Sequence, residues 1–434
     1  MKKLAFLAAS LAEGAVIIPN LIFIGLIQNH YGNYYYIFPF VLLYAFEKAG
    51  IFFIKGFGEV LNPYLLLKRL MIPTFIGSIF MMAGTQYHVL WDIGAILIGV
   101  GLSAYSALYR TIVDIQKELN IPTDKNTVAK AYLFLLVFIA VVISIRHTHY
   151  NIMFLLFFIY ITIICVYIWK LEIPESMVGQ QIFRKKKKST KYFIHSLFIL
   201  IFVLSVRFLK QTANIQFVFP IFIMLCLLIF ALNIPEKRSL NKSSLQILVI
   251  GGMRNYLTIY SLIFYTAIGE TTKVMISYAL IFVGMFISII CSKKMNNIFK
   301  LKEPFNLYLL GSCFGMIVML VPYCYFIGII ISAFFVTAAN KEVTQNIISK
   351  ENIGIYEKRL VKEKFYGLGA VMQQAILLIV LLVVSFLLKG KANLALSAYV
   401  YSLATPQLTV IFRITGLICS LSAIVWSFML VKKF

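Results

Sequence analysis

Four side chains of this sequence carry charge deep inside long apolar stretches. They are Glu13 in LAASLAEGAVIIPNLIFIG (7–25), Glu47 and Lys48 in YAFEKAG (44–50), and Arg254 in GGMRNYL (251–257). A charge at bilayer depth costs at least about 2.5 kcal/mol on insertion scales, so each needs a counter-charge, a hydrogen bond or a water-filled cavity. With helix entry near Leu4, nine residues at about 1.5 Å each place Glu13 roughly 14 Å deep, near the midplane of a hydrocarbon core about 30 Å thick. Arg254 lies about eight residues into a later apolar segment, so the two depths agree within roughly 2 Å. The chemistry open to such a pair is a proton-responsive switch, in which protonation of Glu13 releases Arg254 for an anionic group. The alternative is a static buried pair that fixes helix docking. Glu47 and Lys48 are sequence neighbours that diverge by about 100° on a helix, so they are not expected to neutralise each other.

The elements that hold these residues are legible from composition. The chain of 434 residues is 61 % apolar and 13 % charged, with a mean hydropathy of +0.90, against about 25 % charge in soluble domains. Its formal charge of +24 lies between apolar runs, which reads as membrane topology and argues against a nucleic-acid partner. The Met1-Lys2-Lys3 start leads into an apolar run too long for a signal-peptide core, so the first helix is expected to be retained. Six cysteines (Cys165, Cys226, Cys291, Cys313, Cys324 and Cys419) fall in or beside apolar segments with no CxxC spacing. They read as packing residues, and no metal or other cofactor is expected.

Apolar runs of about 17–25 residues mark spanning helices. Fourteen candidates result, near 4–28, 35–55, 70–88, 91–112, 128–146, 151–170, 192–210, 213–233, 246–269, 274–292, 305–323, 324–342, 364–388 and 408–430. Basic residues concentrate in alternate connections: Lys55 with Lys68 and Arg69, Arg110 to Lys130, FRKKKKSTK (183–191), EKRSLNK (236–242), SKKMNNIFKLK (292–302), 341–364, and the Lys432-Lys433 tail. Arg146, Lys210, Lys389 and Lys391 are the exceptions on the opposite side, while Arg207 and Arg413 lie near helix ends and can snorkel. Both termini are therefore expected to be cytoplasmic, in a multi-pass protein of the cell membrane. The lysine run at 185–188 is a topology anchor first and an anionic-lipid site second.

The fourth segment, ILIGVGLSAYSALYRTIVDIQKE (96–118), and the twelfth, FIGIIISAFFVTAANKEVTQNI (326–347), share a small-residue stretch that runs into a threonine, a base and an acid. Two six-helix halves, 1–170 and 246–434, separated by a basic linker and two inserted helices over 171–245, account for this repetition. The expected fold class is thus an all-α polytopic membrane protein of about fourteen transmembrane helices.

In this layout the chain resembles the major facilitator superfamily in its fourteen-helix form. The family loop after helix two usually reads like G-x-x-x-D-R-x-G-R-R. Here GEVLNPYLLLKR (58–69) keeps Gly58, has Asn62 in place of the acid and Pro63 in place of the first arginine, and displaces the bases to Lys68 and Arg69. The resemblance implies a central cavity lined by the first helix of each half, which would bring Glu13 and Arg254 to opposite walls. It also implies that helix thirteen lies against helix two, making Gln373 and Gln374 candidate partners for Glu47 and Lys48 as a polar clamp or a proton relay. Asn20, Ser103, Tyr105, Ser106, Tyr109, Asn255, Thr258, Thr337 and Asn340 would line the same cavity, although each residue type is individually a common helix-packing group.

An enzyme would need catalytic groups facing water. The outer pair His147 and His149 in IRHTHY reads as a wet loop, no outer acid pair is present, and no glycine-rich nucleotide loop follows a strand. The expectation is a non-enzymatic secondary transporter, an efflux antiporter for an amphipathic or anionic small molecule, with the bilayer as its solvent and proton coupling as its driving force. A flippase for a lipid-linked glycan or polysaccharide is the first alternative, a membrane glycosyl- or acyltransferase the second, and a non-transporting scaffold the last.

Overall fold

The computed structural model describes residues 4–15, 17–30, 33–121, 126–145, 150–184, 190–233, 242–299, 304–350, 356–401 and 408–432. The helices run in the order α1 (Ala5–Ser10), a π-helical turn (Leu11–Ala15), α2 (Ile17–Asn29), α3 (Tyr34–Gly56), α4 (Pro63–Ala83), α5 (Val89–Leu102), α6 (Tyr105–Glu118), α7 (Thr127–Ile145) and α8 (Tyr150–Trp169). They continue as α9 (Thr190–Thr212), α10 (Val218–Asn233), α11 (Lys242–Ala267), α12 (Thr271–Phe299), α13 (Pro304–Val318), α14 (Tyr325–Lys350), α15 (Lys358–Lys389), α16 (Leu394–Val400) and α17 (Thr409–Lys432). Among the described residues, ten helices are long and apolar enough to cross a membrane, and four shorter apolar helices (Ala5–Gly14, Thr127–Val142, Ile215–Met224 and Pro304–Val318) lie at the first, fifth, eighth and eleventh expected segments. The protein is therefore a multi-pass, all-helical membrane protein, in which ten of the fourteen expected segments are full-length spans among the described residues.

Several boundaries differ from expectation for one reason: hydropathy finds the apolar part of a helix, not its ends. α4 begins seven residues before the expected 70, because Asn62 caps it by accepting from the Leu65 N–H at 3.0 Å and Pro63 occupies its first turn, both strong helix starters. The stretch 341–364, expected as a loop, is largely helical: α14 continues to Lys350 and α15 already starts at Lys358. Its Lys, Glu and Gln residues are good helix formers whatever their hydropathy. Likewise α12 runs through most of 292–302, and Arg110, counted at the start of a basic connection, sits well within α6. The lysine run at 185–188, with His147 and His149, lies outside the described residues.

The chain divides into two compact units, Met1–Leu204 with Ile353–Lys364 and Ser205–Asn352 with Phe365–Phe434. In the first, α3 and α4 pack on α5, α4 packs on α8, and α1 packs on α7. The second repeats this order, with α12 and α13 on α14 and α13 on α17. The closest crossings also correspond. A Cβ placed on Gly94 of α5 would come within 2.8 Å of the Gly77 carbonyl of α4, and one on Gly328 of α14 within 2.7 Å of the Gly315 carbonyl of α13. In lipid, helices associate through such backbone-to-backbone approach because the solvent supplies no hydrophobic drive between them. The recurrence of the small-residue stretch noted at 96–118 and 326–347 thus has a packing cause.

The connection 58–62 before α4 is anchored inside the first unit. Val60 and Phe183 form an isolated antiparallel bridge, the Leu61 N–H donates to the Ile182 carbonyl at 2.8 Å, and Asn62 Nδ2 donates to the Met177 carbonyl at 3.0 Å. Asn62, where the family loop has an acid, is thus both a helix cap and a tie to the segment that follows α8.

Candidate functional site

The first unit builds its most polar interior around the break between α1 and α2. Gly14 has φ +144°, a conformation that a residue with a Cβ rarely adopts, and it lies within the π-helical turn Leu11–Ala15. Hydroxyl donors of α6 hold the segment that leads into the break. Tyr109 Oη donates to the Ala5 carbonyl and Tyr105 Oη to the Ala8 carbonyl, both at 3.1 Å, and Ser106 Oγ donates to the Ala12 carbonyl at 2.9 Å. Residues 105, 106 and 109 share one helical face with Arg110, so the same face also presents a guanidinium.

That guanidinium meets Glu13. Arg110 Nη2 lies 3.0 Å from Glu13 Oε1, and Tyr132 Oη of α7 donates to Glu13 Oε2 at 2.6 Å. The Glu13 and Arg110 side chains remain 17 % and 29 % exposed. The carboxylate is thus held between a cation and a phenol donor while remaining reachable by water. The sequence reading anticipated the carboxylate and missed both partners. Arg110 was counted with the basic connection that begins at the end of the 91–112 segment, although the spacing Tyr105, Ser106, Tyr109, Arg110 was a readable signal. Tyr105, Ser106 and Tyr109, expected to line a cavity, donate to carbonyls of α1 and the π-helical turn, and Ser103 donates to its own helix at the Val100 carbonyl, 2.7 Å away.

Glu47 and Lys48 correct another expectation. Lys48 Nζ lies 2.8 Å from Glu47 Oε1 and 5.2 Å from the centre of the Tyr44 ring. Their Cβ atoms diverge, but the four-carbon lysine stem is long enough to fold back. The pair is neutralised on α3 itself.

The second unit places its polar residues on α11 and α15. Arg254 Nη2 lies 3.8 Å from Met285 Sδ of α12, Asn255 Nδ2 donates to the Ala370 carbonyl of α15 at 2.9 Å, and Thr258 Oγ1 donates to the Asn255 carbonyl. Gln374 is fully buried, and among the described residues neither its amide oxygen nor its amide nitrogen finds a hydrogen-bond partner; the same holds for Gln373 Nε2. Thr337 and Asn340 are half-buried on α14, while the side chain of Asn20 lies outside the described residues. Among the described residues, no group of three or more His, Cys, Asp or Glu side chains could hold a metal ion, and Cys165, Cys291, Cys313, Cys324 and Cys419 are free thiols.

At the basic-loop end of the first unit, the start of α15 is locked to α6. Arg359 Nη2 and Nε both bond Asp114 Oδ2, at 2.6 and 2.7 Å. Lys364 Nζ lies 5.3 Å from the Phe52 ring and 5.7 Å from the Tyr192 ring. Burial, helped by the charge of Glu118, raises the Tyr356 phenol above its ordinary value.

No family profile and no curated protein sequence matches this chain. Its structure, however, is similar over nearly its whole length to solved transporters. A point mutant of the nucleoside transporter NupG matches with TM-score 0.55 and 10 % identity, covering 98 % of this chain and 100 % of that one. The proton:xylose symporter XylE matches with TM-score 0.54 and 13 % identity, covering 99 % and 94 %. The peptide transporter POT in complex with alafosfalin matches with TM-score 0.51 and 14 % identity, covering 98 % and 94 %. The fold is that of major facilitator superfamily transporters. These structural neighbours are transporters and not enzymes. At such low identity the likeness establishes architecture, and chemistry has to be argued from this chain's own residues.

Proposed function

We propose that this protein is a secondary active transporter of the cell membrane, with both termini cytoplasmic, exporting an amphipathic or anionic compound by alternating access in exchange for protons. The observation that carries the reading is Glu13: a half-buried carboxylate at a helix break, bonded to Arg110 and Tyr132 in a chain whose fold neighbours include a proton:xylose symporter. A membrane-embedded acid with a switchable partner is how transporters commonly relay protons. Arg254 is the corresponding cation on the first helix of the C-terminal half, and the division into 1–170, 171–245 and 246–434 makes α9 and α10 the inserted pair. Export is assigned from the fourteen-segment layout. Neighbours named for nucleosides, xylose and peptides do not set a direction.

The test uses inside-out membrane vesicles carrying the protein, an imposed acid-inside gradient and a pH-sensitive dye. A panel of amphipathic and anionic compounds is added, and at least one is expected to dissipate the gradient with the wild type and not with Glu13→Gln. Equal dissipation by both would remove Glu13 from the coupling step.

A second reading, a flippase for a lipid-linked substrate, is favoured by one feature. An almost wholly apolar cavity of about 300 Å³ lies between α3, α5 and α9, lined by Phe46, Phe53, Val100, Phe193, Leu197 and Leu200, and it suits an acyl or polyprenyl chain. Under that reading, reconstituted protein moves a fluorescent lipid-linked headgroup between leaflets, and filling the cavity with Val100→Phe slows it.

A further inference from the structure

The first half of α9, through Leu204, belongs to the first unit and meets α3 at two places. The Ser196 hydroxyl donates to the Ala49 carbonyl at 3.1 Å, and a Cβ on Gly56 would come within 2.7 Å of the Phe193 ring. Beside these contacts the helices leave the apolar cavity of about 300 Å³, which runs from Phe53 to Phe46 on α3 and from Phe193 to Leu200 on α9, with Val100 of α5 as a third wall. Seven residues at about 1.5 Å each make it roughly 10 Å long. Its rim residues Phe53 and Leu197 are 43 % and 56 % exposed, and Ile194, Phe198 and Ile201 beside them on α9 are exposed as well. That apolar rim faces the bilayer, whereas Ala49 and Ser196, at 3 % and 7 % exposure, form the floor.

A void of this size left empty would forfeit the dispersion contacts of its walls, and folded proteins keep few voids larger than a water molecule. Water does not suit it. At about 30 Å³ each, roughly ten molecules would need two to four polar partners apiece, and the lining side chains offer only the Ser196 hydroxyl, already bonded to Ala49. A partner helix is too thick, since one turn about 10 Å across and 5.4 Å long occupies roughly 420 Å³. A thin, flexible apolar chain fits, and the bilayer supplies one at the rim. The Phe53, Phe57 and Phe193 rings, 5.2–5.3 Å apart, close the cavity toward the basic connections, and Phe57 stacks on Phe183 at 5.7 Å. The next residue, Arg184, is 62 % exposed beside Glu59. Its guanidinium has donors enough for a headgroup phosphate as well as that carboxylate. We infer that the cavity is a resident lipid site, in which one acyl chain of an anionic phospholipid from the leaflet on the basic-loop side completes the packing of α3, α5 and α9. The flippase reading takes the same cavity as a path; a resident chain requires no movement and does not rest on that reading.

The test places the full-length protein in phosphatidylglycerol nanodiscs doped with a phosphatidylglycerol that carries a photoactivatable diazirine in one acyl chain, with no transport compound added. After illumination, adducts are located by peptide mass spectrometry. Leu155 and Ile159 of α8, 43 % and 45 % exposed, report ordinary contact with the bilayer. Ala49 and Ser196 report the floor, which a surrounding lipid does not reach. Floor adducts are expected in the wild type and should saturate as the doped lipid is raised, while those on α8 grow in proportion. Val100→Phe from one wall, or Leu200→Trp from another, fills the cavity and should lower the floor yield about fivefold or more with the α8 yield unchanged; Val100→Ala should keep it. The inference is overturned if the wild type gives α8 adducts and no floor adducts, or if either filling variant, labelled normally on α8, keeps the wild-type floor yield. Saturable floor labelling in a protein that moves no lipid-linked headgroup would reject the flippase reading and leave the resident lipid in place.

Discussion

Replacing Glu13 with glutamine keeps the shape of the side chain and removes its charge, which strands Arg110. Breaking a fully buried ion pair costs about 3–5 kcal/mol, and an exposed pair is worth about 0–1 kcal/mol. With 17 % and 29 % of the two side chains still exposed, the cost falls between these limits, near 2 kcal/mol. The Tyr132 bond, 2.6 Å long to a carboxylate oxygen, weakens to that of a neutral pair and adds roughly 1 kcal/mol. Glu13→Gln should therefore destabilise by about 2–3 kcal/mol, and Tyr132→Phe by about 1 kcal/mol. The informative assay is a double-mutant cycle on purified protein, following unfolding in mixed detergent–SDS micelles for Glu13→Gln, Arg110→Gln and the double variant. Removing Arg110 also removes the stranded charge, so the double variant should recover about 1–2 kcal/mol of the summed single losses. If the single losses add to within about 0.3–0.5 kcal/mol, the two side chains do not act as a pair.

Other consequences are equally open to measurement. Gly94→Val and Gly328→Val each force a Cβ against a facing carbonyl and should cost about 1–3 kcal/mol; similar losses would support matched crossings in the two units, and tolerance of either would refute them. Arg359→Gln should accelerate hydrogen exchange at 358–364 about fivefold, as expected when a half-exposed pair worth roughly 1 kcal/mol is lost, and unchanged protection would show that the Asp114 bonds do not hold the start of α15. Reporters inserted at residue 187 and at the C terminus should read cytoplasm, and one within 391–404 should read outside. A cysteine at Ser397 that an impermeant reagent labels only after lysis would invert that topology.

What the sequence made legible was decided by the range over which each signal acts. Apolar runs located the membrane helices, because hydropathy is a local sum. Helix ends were missed where polar helix formers extend an apolar core, as at Lys341–Lys350 and Lys358–Glu363. The cost of burying charge is what drew attention to Glu13, since that cost depends on the residue alone. Its partner did not follow, because Arg110 lies 97 positions away and, at the inner end of the fourth segment, was counted with the basic connection that follows it. Glu47 and Lys48 were misjudged for the opposite reason: Cβ direction was allowed to stand for the position of a flexible ammonium. Lys210 was seen only as a violation of charge bias, and its burial, with Nζ over the Tyr399 ring of α16, became visible only in the fold.

The central claim is that the protein moves a compound uphill at the expense of a proton gradient through a step that needs Glu13. The most direct measurement is accumulation of a radiolabelled compound, one that dissipates the gradient in the vesicle screen, into liposomes reconstituted with purified protein under an imposed pH difference. The account predicts concentration above equilibrium in the wild type, collapse on adding a proton–potassium exchanging ionophore, and no accumulation with Glu13→Gln despite normal reconstitution. Equilibration to the external concentration, unaffected by the ionophore and by the substitution, would contradict it.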